Sequence, residues 1–351
     1  MTQKILFLYT EIAEYFLAGV EALSKKDNEI HIVKWKTNKE APFKFRKMEG
    51  VMFYERDDYT NTQLLNLAKK IAPSIIIASG WTDKAYLKVA KHFKNKIQTV
   101  LTLDNHWNAT LKQKIACILS PFVLKSKFSH VWVPGKPQKE YALKLGFKEN
   151  DISTGFYSAD TYLFSKYKKE NELQKKENYP KKILYVGRYI KEKDIFLLWE
   201  TFIELQKEFP NNWELLCVGT GDLYEKRIKH PKIKHLGFVQ PNEMGKLIAE
   251  TGVFVLPSKF EPWGVVVHEY AAAGFPLICS DRIGAASTFL ENNKNGFLFQ
   301  SGNKEDLKQV LKKVMSLPNN KLIEMSEISY KKSLKLSPEK WANTLLNILN
   351  K

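Results

Sequence analysis

The sequence has little cysteine and no long apolar run. Its three cysteines, Cys117, Cys217 and Cys279, lie far apart without a Cys-x-x-Cys pair, which argues against a cysteine zinc site or a disulfide framework and suits a reducing compartment. No apolar run approaches the roughly 20 residues that a membrane-spanning helix needs. The apolar run within Lys4–Tyr9 has only strand length, and no small-residue cleavage site follows it. We therefore predict no signal peptide and a cytoplasmic protein.

Arginine is also scarce, although the net charge is +17. Of 55 basic residues, five are arginine, which leaves 50 lysines. A protein that reads nucleic acid usually carries more arginine, because the guanidinium group fits phosphates and base edges, so we predict no nucleic-acid partner. Two interpretations of the charge stay open. One is a lysine bias spread over solvated faces, and the other is attraction to an anionic membrane surface or an anionic acceptor.

Short apolar runs alternate with helical patterns along the chain. The run Ser74–Ala78 is mostly isoleucine, which is typical of a central strand in a parallel sheet. The alternation restarts with the strand-like run Ile183–Val186. The pattern therefore predicts an α/β protein with two Rossmann-like βαβ domains. A ligand is expected in a cleft between them, outside the carboxyl ends of both sheets.

Residues 166–181 separate the two halves. They are highly charged, contain almost no aliphatic side chain and include Pro180 near their end, which favours a linker. We therefore predict a first domain over residues 1–165, a charged linker over 166–181 and a second domain over 182–334. Residues 335–351 are predicted to form a C-terminal helix, with packing back onto the first domain as the favoured arrangement.

The most informative segment begins at Glu261, in a polar loop with the sequence Glu-Pro-Trp-Gly. A helix is predicted to start near Val265, so its free N–H groups and positive dipole end would offer a site for a diphosphate. Glu269 follows in the second turn of this helix. Two carboxylates around a helix start could bind the hydroxyl groups of a sugar and of a ribose. The alternative is an amphipathic helix with two solvated glutamates.

A second motif follows the first strand of the second half. Gly187 allows close approach of the backbone, and Arg188 is one of five arginines in a chain that otherwise uses lysine. Arginine can clamp phosphate oxygens with two donors, and Lys193 adds a point charge. The alternative is a solvated basic loop.

The second half resembles the C-terminal domain of glycosyltransferase family 4, a retaining family with the GT-B fold. The Gly-Arg…Lys element is matched by Gly187, Arg188 and Lys193, and the Glu-x7-Glu element by Glu261 and Glu269. The turn that begins at Gly219, the stretch Gly237-Phe-Val and a glycine at position 284 also resemble family elements. The resemblance covers roughly residues 180–316, and its motifs are specific in combination.

The resemblance implies a role for each matched residue. Arg188 and Lys193 would neutralise the donor diphosphate, Glu261 would contact the donor sugar, and Glu269 would bind ribose hydroxyls. The remaining donor-binding positions that we predict are Gly187, Gly219, Phe238, Val239, Trp263, Gly264, Val265 and Gly284, with main chain near Phe238 and Val239 holding the base. His268, inside the same helix, is predicted to pack or to support the donor side rather than to bind a metal.

The first half resembles the family far less. Many members have a Gly-Gly loop after the first strand, whereas residues 10–14 here contain no glycine, and this loop is expected to shape the acceptor pocket. Many members also carry a histidine in the cleft. The candidate is His106, after the predicted strand Ile97–Leu103, with an ordinary surface histidine as the alternative. Of the family's Asn-Gly-Val-Asp stretch, only Asp160 is retained.

We predict catalysis without a metal ion or cofactor, because the sequence contains no Asp-x-Asp motif. Arg188, Lys193 and the helix start would stabilise the leaving diphosphate instead. The predicted reaction transfers a sugar with retention from a UDP- or GDP-sugar to a saccharide or lipid-linked saccharide, in surface polysaccharide or lipopolysaccharide assembly. Two alternatives are a GT-B-fold sugar-nucleotide epimerase and a basic, non-enzymatic protein that binds nucleic acid or membrane.

Residues 108–127 combine lysines with a helical pattern of apolar residues. Lys112, Lys114, Lys125 and Lys127 accompany seven apolar side chains, which are Leu111, Ile115, Ile118, Leu119, Phe122, Val123 and Leu124. A basic amphipathic segment can lie on an anionic membrane, so the protein is expected to be cytoplasmic with peripheral attachment to the inner face of the cell membrane as one arrangement. The alternative is an ordinary helix that turns its apolar side to the core.

Overall fold

The structure, a computed structural model, describes residues 2–36 and 48–351. They form two compact units. The first unit runs to Ser158 and includes Leu336–Lys351, and the second unit is Ala159–Lys335. None of the helices in the described ranges is both long and apolar enough to cross a membrane.

The first unit is built on a parallel sheet of seven strands among its described residues, in the order β3-β2-β1-β4-β5-β6-β7. Its strands are β1 (Gln3–Tyr9), β2 (Asn28–Lys34), β3 (Val51–Glu55), β4 (Ile75–Ser79), β5 (Gln98–Thr102), β6 (His130–Trp132) and β7 (Ile152–Ser153). Its first five helices are α1 (Glu14–Ser24), α2 (Asn61–Ile71), α3 (Lys84–Phe93), α4 (Leu111–Val123) and α5 (Lys136–Lys144).

The register of the first sheet follows from its buried centre. Ile77 of β4 pairs with Phe7 of β1 and with Val100 of β5, and all three side chains are fully buried. Strands buried on both faces need continuous apolar runs, which is why the isoleucines of β4 lie at the centre of the sheet.

The second unit contains a parallel sheet of six strands in the order β10-β9-β8-β11-β12-β13. Its strands are β8 (Lys182–Val186), β9 (Glu214–Val218), β10 (Ile233–His235), β11 (Val253–Leu256), β12 (Leu277–Ser280) and β13 (Gly296–Phe299). Its helices are α6 (Thr161–Glu177), α7 (Ile195–Glu208), α8 (Gly245–Glu250), α9 (Val265–Ala272), α10 (Ala286–Phe289), α11 (Lys304–Met315) and α12 (Asn319–Ser333). The two parallel sheets agree with the predicted α/β class.

The structure differs from the expected linker at residues 166–181, because most of this segment belongs to helix α6. Asp160 caps the helix through a bond from the Leu163 N–H, 3.1 Å long. The helix buries the aromatic side chains of Phe164 and Tyr167, and the Tyr167 hydroxyl donates to the Asn242 carbonyl at 2.9 Å. Two aromatic anchors thus fix a helix that lacks an aliphatic stripe, and the boundary between the units lies at Ser158 and Ala159.

The last helix, α13 (Pro338–Leu349), belongs to the first unit. It packs against α1. The indole N–H of Trp341 donates to the Phe156 carbonyl at 2.6 Å, and its ring lies 5.0 Å from that of Trp132. The chain therefore returns to the unit in which it began.

Candidate functional site

The candidate residues of the second unit lie on loops that follow five neighbouring strands. Because all strands are parallel, the loops after β10, β9, β8, β11 and β12 leave the same edge of the sheet. Ligands of open α/β sheets bind at this carboxyl edge. The topology therefore brings together candidates that are far apart in sequence.

Lys193 and Glu261 join the two motifs directly. The Lys193 ammonium donates to a Glu261 carboxylate oxygen, although the residues are 68 positions apart. Their side chains keep only 14% and 17% of their exposure, so solvent screens the pair less than it screens an ion pair on the surface. Lys193 ends a short 3-10 turn after β8, and Glu261 lies in the loop after β11.

Main-chain bonds hold the Glu261 loop against the loop after β12. The Glu261 N–H donates to the Arg282 carbonyl at 3.0 Å, and the Gly284 N–H donates back to the Glu261 carbonyl at 3.1 Å. Ala285 donates in the same way to the Trp263 carbonyl at 2.8 Å. The main chain at Glu261 is thus held in place by backbone pairing.

Gly219 is required by close packing of two loops. Its φ of +133° suits glycine, and a Cβ atom at this position would overlap the Gly187 carbonyl. The Gly187 N–H donates to the Val218 carbonyl at 3.0 Å, and the Gly219 N–H to the Gly237 carbonyl at 2.7 Å. Gly219, predicted as a donor contact, therefore also has a structural reason to be glycine.

Helix α9 begins at the Glu261 loop. Gly264 precedes Val265 with a φ of +86°, and a Cβ at Gly264 would come within 2.8 Å of the Glu261 Cγ. No side chain caps the helix start. The first N–H groups of a helix have no partner within it and carry its positive dipole end, so an anion beside Val265 would be stabilised.

Glu269 lies half-buried in α9, and its carboxylate makes no hydrogen bond or ion pair with any described residue. Burial raises the pKa of Glu269 to about 7, and the nearby Asp160 carboxylate acts in the same direction. A partly buried carboxylate without a partner lowers the stability of the protein. Buried carboxylates with raised pKa values are common at ligand sites.

The other predicted donor residues differ in their exposure. Arg188 is exposed, and its carbonyl accepts a bond of 2.9 Å from the Tyr185 hydroxyl. Phe238 and Val239 are partly exposed. The Trp263 side chain is almost fully buried, and its indole N–H has no hydrogen-bond partner among the described residues. Trp263 can therefore face a ligand with its main chain only.

His268 packs within the second unit, and both of its ring nitrogens are bonded. Nδ1 accepts from the Ala159 N–H at 3.0 Å, and Nε2 donates to the Ser333 carbonyl at 2.9 Å. The ring stacks on Phe289, with 4.1 Å between centroids. Burial lowers the pKa of His268 to about 4, which keeps the ring neutral.

His106 belongs to the first unit. It lies in the loop between β5 and α4 and is partly exposed, and its carbonyl accepts a bond from the Gln113 side chain. In the same loop, Asp104 accepts from the Tyr157 hydroxyl at 3.3 Å. His106 thus lies beyond the carboxyl end of β5, where the strand pattern predicted it.

Arg282 is a candidate that sequence reasoning missed. Its carbonyl is bonded to the Glu261 N–H, its side chain is exposed, and its guanidinium group contacts no described acceptor or ring. The scarcity of arginine that drew attention to Arg188 applies equally to Arg282. No group of three or more His, Cys, Asp or Glu suited to a metal occurs in the part of the chain that the structure describes.

The second unit also matches a known protein family. Residues 165–332 match the model for glycosyl transferases group 1. This part of the chain is therefore similar to the domain shared by group 1 glycosyltransferases. A relative of this domain, an uncharacterized glycosyltransferase of Methanocaldococcus jannaschii, is 30% identical over 144 residues, which cover 39% of this chain and 36% of the relative. The chain thus spans little more than a third of that curated relative's length.

Solved structures extend the likeness to both units. A glycosyltransferase from Rickettsia africae matches with a TM-score of 0.76 at 16% identity, covering 99% of this chain and 98% of the other. Anabaena HepE, in complex with UDP and glucose, matches with a TM-score of 0.72 at 16% identity and covers 99% of each chain. The chain therefore has the GT-B fold of these structures, as the sequence predicted, and residues 165–332 belong to its second half.

Proposed function

We propose that the protein transfers a sugar with retention from a UDP- or GDP-sugar to a saccharide or lipid-linked saccharide. The observation that carries the proposal is the Lys193–Glu261 pair. It brings the basic motif after β8 and the acidic motif after β11 into contact inside the region that matches group 1 glycosyl transferases. A nucleotide sugar presents anionic phosphates beside a neutral polyol, so one cation and one carboxylate in contact match both parts.

The donor diphosphate is assigned to Arg188, Lys193 and the start of α9. Two cations and the positive end of a helix would neutralise the charge that develops on the leaving phosphate oxygen. Main chain at Gly264 and Val265 would reach the phosphates or the sugar. Because these groups meet the electrostatic requirement, the proposal includes no metal ion or other cofactor.

The other parts of the donor are assigned to four residues. Glu261 would bind hydroxyl groups of the sugar, and Glu269, whose carboxylate lacks a partner among the described residues, would bind the two ribose hydroxyls. Main chain at Phe238 and Val239 would hold the base. Support for a uridine or guanosine donor comes from family resemblance and from the UDP in the HepE complex.

In the proposed reaction, the bond between the anomeric carbon and the phosphate oxygen breaks, and its electron pair stays on the phosphate. The acceptor hydroxyl attacks the same face of the sugar, and its proton passes to that phosphate oxygen. This same-face course and membership of family 4 rest on resemblance. His106 is assigned to the transferred sugar on the acceptor side.

The acceptor class and the cellular location are proposed from the net charge of the chain. A chain with a net charge of +17 suits an anionic acceptor or a lipid-linked acceptor at the inner face of the cell membrane. Assembly of surface polysaccharide or lipopolysaccharide is the process that we propose.

A thermal-shift screen with UDP- and GDP-sugars tests the donor assignment, because a tight ligand raises the melting temperature. We expect one nucleotide sugar to stabilise the protein, and Arg188→Ala to abolish the shift, with Arg227→Ala, a partly exposed arginine without an assigned role, as the control. Turnover of the donor without an acceptor would instead support an epimerase. No shift with any nucleotide sugar would contradict the proposal.

A further inference from the structure

Helix α4 turns its apolar side to solvent. The side chains of Leu111, Ile118 and Phe122 keep 77%, 73% and 77% of their exposure. Ile115 and Leu119 are also exposed. At helical spacing, these residues fall within an arc of roughly 100°, which forms one continuous stripe along the helix.

The opposite side of α4 faces the core with small side chains. Ala116 and Cys117 pack against the hydrophobic core of the first unit, and Ser120 is fully buried. The usual arrangement of an amphipathic helix is therefore reversed. The larger apolar residues of α4 contribute little to the core, so folding alone does not explain them.

The exposed large apolar side chains are concentrated on helix α4. The described residues include twelve large apolar side chains that are exposed, and six of them belong to α4. The others are spread over the two units, as isolated exposed apolar residues commonly are. A cluster of six on 13 residues is the pattern of an interaction surface.

Positive charge surrounds the stripe. Lys112 and Lys114 are exposed and fall on its two sides at helical spacing, and Lys125 follows the end of the helix. Residues 105–139 contain no aspartate or glutamate. An apolar stripe bordered by lysine and free of acidic residues complements a surface of acyl chains and anionic headgroups.

We propose that α4 docks the protein on an anionic lipid bilayer. The helix lies in the plane of the interface, with Ile118 and Phe122 below the headgroups and Lys112 and Lys114 at the lipid phosphates. This assignment deepens the proposed membrane partner by naming the surface that binds it. It needs no donor, acceptor or turnover, so vesicle binding tests it separately from the transferase proposal.

Co-sedimentation with vesicles of phosphatidylcholine and phosphatidylglycerol tests the stripe. We expect the full chain to bind these vesicles, and Ile118→Ser with Phe122→Ser to weaken binding at least about ten-fold, because each side chain loses its apolar burial. The matched control is Tyr162→Ser with Leu173→Ser, since both residues are exposed apolar side chains on helix α6. It should bind as the wild type does.

The contribution of the lysines to vesicle binding is tested by varying the salt concentration and the charge of the lipid. Binding should fall at high salt and with phosphatidylcholine alone, because screening and neutral headgroups remove the electrostatic attraction. Lys112→Gln with Lys114→Gln should weaken binding to the anionic vesicles. Lys69→Gln with Lys70→Gln, two exposed lysines at the end of α2, should not.

Three results would overturn the proposal. The first is no binding of the wild type to anionic vesicles. The second is equal binding by the wild type and the Ile118→Ser, Phe122→Ser variant. The third is a concentration-dependent dimer in sedimentation equilibrium that this variant abolishes, which would assign the stripe to a second copy of the chain. Unchanged melting temperatures for these surface variants show that the fold is intact in each case.

Discussion

The Lys193 ammonium is bonded to the Glu261 carboxylate, so each side chain neutralises the other before any ligand arrives. A donor diphosphate would have to draw Lys193 away from Glu261. If Lys193 binds the phosphates and Glu261 the sugar, as proposed, the pair couples these two positions, and a variant of one residue should change both.

Glu261→Gln should separate these two effects. We expect UDP or GDP to bind several-fold more tightly, because Lys193 no longer has a carboxylate partner. Sugar transfer should slow by about ten-fold or more, because a charged hydrogen bond to the sugar is lost. Calorimetry with the nucleoside diphosphate and a transfer assay give the two values. Glu192→Gln, beside Lys193 but exposed, is the control. Weaker diphosphate binding by Glu261→Gln would contradict this account of the pair.

Glu269→Gln should stabilise the protein at high pH. The pKa of Glu269 is raised to about 7 from an ordinary 4.5, so between these values the folded protein holds a proton that the unfolded chain releases. Its contribution to stability therefore falls as pH rises through this range. Above pH 7 the variant should gain about 3 kcal/mol in the free energy of unfolding, and below 4.5 almost nothing.

The same substitution should weaken donor binding if Glu269 binds ribose. Wild-type affinity for the nucleotide should increase as pH rises toward 7, because hydroxyl groups bond best to the charged carboxylate. Affinity of the variant should vary less with pH. Glu225→Gln, at an exposed carboxylate of the same unit, should change neither stability nor affinity. A variant that is stabilised but binds the nucleotide normally would exclude the ribose assignment.

The lowered pKa of His268 should reduce the stability of the protein in acid. Its pKa is lowered from an ordinary 6.5 to about 4, so between these values the unfolded chain binds a proton that the folded protein does not. The histidine's contribution is complete above pH 6.5 and is lost as pH falls toward 4, by about 3 kcal/mol. His268→Gln should be less stable than the wild type at neutral pH, and this difference should shrink in acid.

Urea denaturation at a series of pH values measures the effect of His268. His230→Gln is the control, because His230 is not buried and its ring accepts a local bond from the Lys232 N–H. A difference between wild type and His268→Gln that stays constant from pH 6.5 to 4 would show that the ring does not remain neutral.

Gly219→Ala should disrupt the site by disrupting its scaffold. The new Cβ would overlap the Gly187 carbonyl at a φ of +133°, so we expect a loss of about 3 kcal/mol or more in the free energy of unfolding. Gly302→Ala has a φ of +74° with no atom near its Cβ, and should cost about 1 to 2 kcal/mol. Chemical denaturation compares the two variants, and equal losses would indicate that backbone strain, not overlap, dominates.

The sequence predicted the fold class because its strongest patterns are local. Continuous apolar strands such as β4 indicate a parallel sheet without any knowledge of distant contacts. Helix α6 was missed because two aromatic residues at its start, rather than an aliphatic stripe, anchor it. The apolar pattern of α4 was visible too, but periodicity reveals a stripe and not the side that faces the core.

The site could be predicted only as separate motifs. The residue types and their loops followed from chain order, whereas the Lys193–Glu261 bond joins positions 68 residues apart. The partners of His268, Ala159 and Ser333, lie 109 and 65 residues away. Such pairings depend on tertiary structure, which a single sequence read in local windows does not contain.

The backbone pairing of the loops at Gly187, Gly219 and Glu261 has an evolutionary consequence. Because main-chain atoms hold these loops together, the exposed side chain at position 282 can change without loosening the frame. Substitutions there can then change the sugar or acceptor that the protein accepts, with little loss of stability. The glycines, whose lack of a side chain makes the frame possible, should tolerate the least variation as such a lineage diversifies.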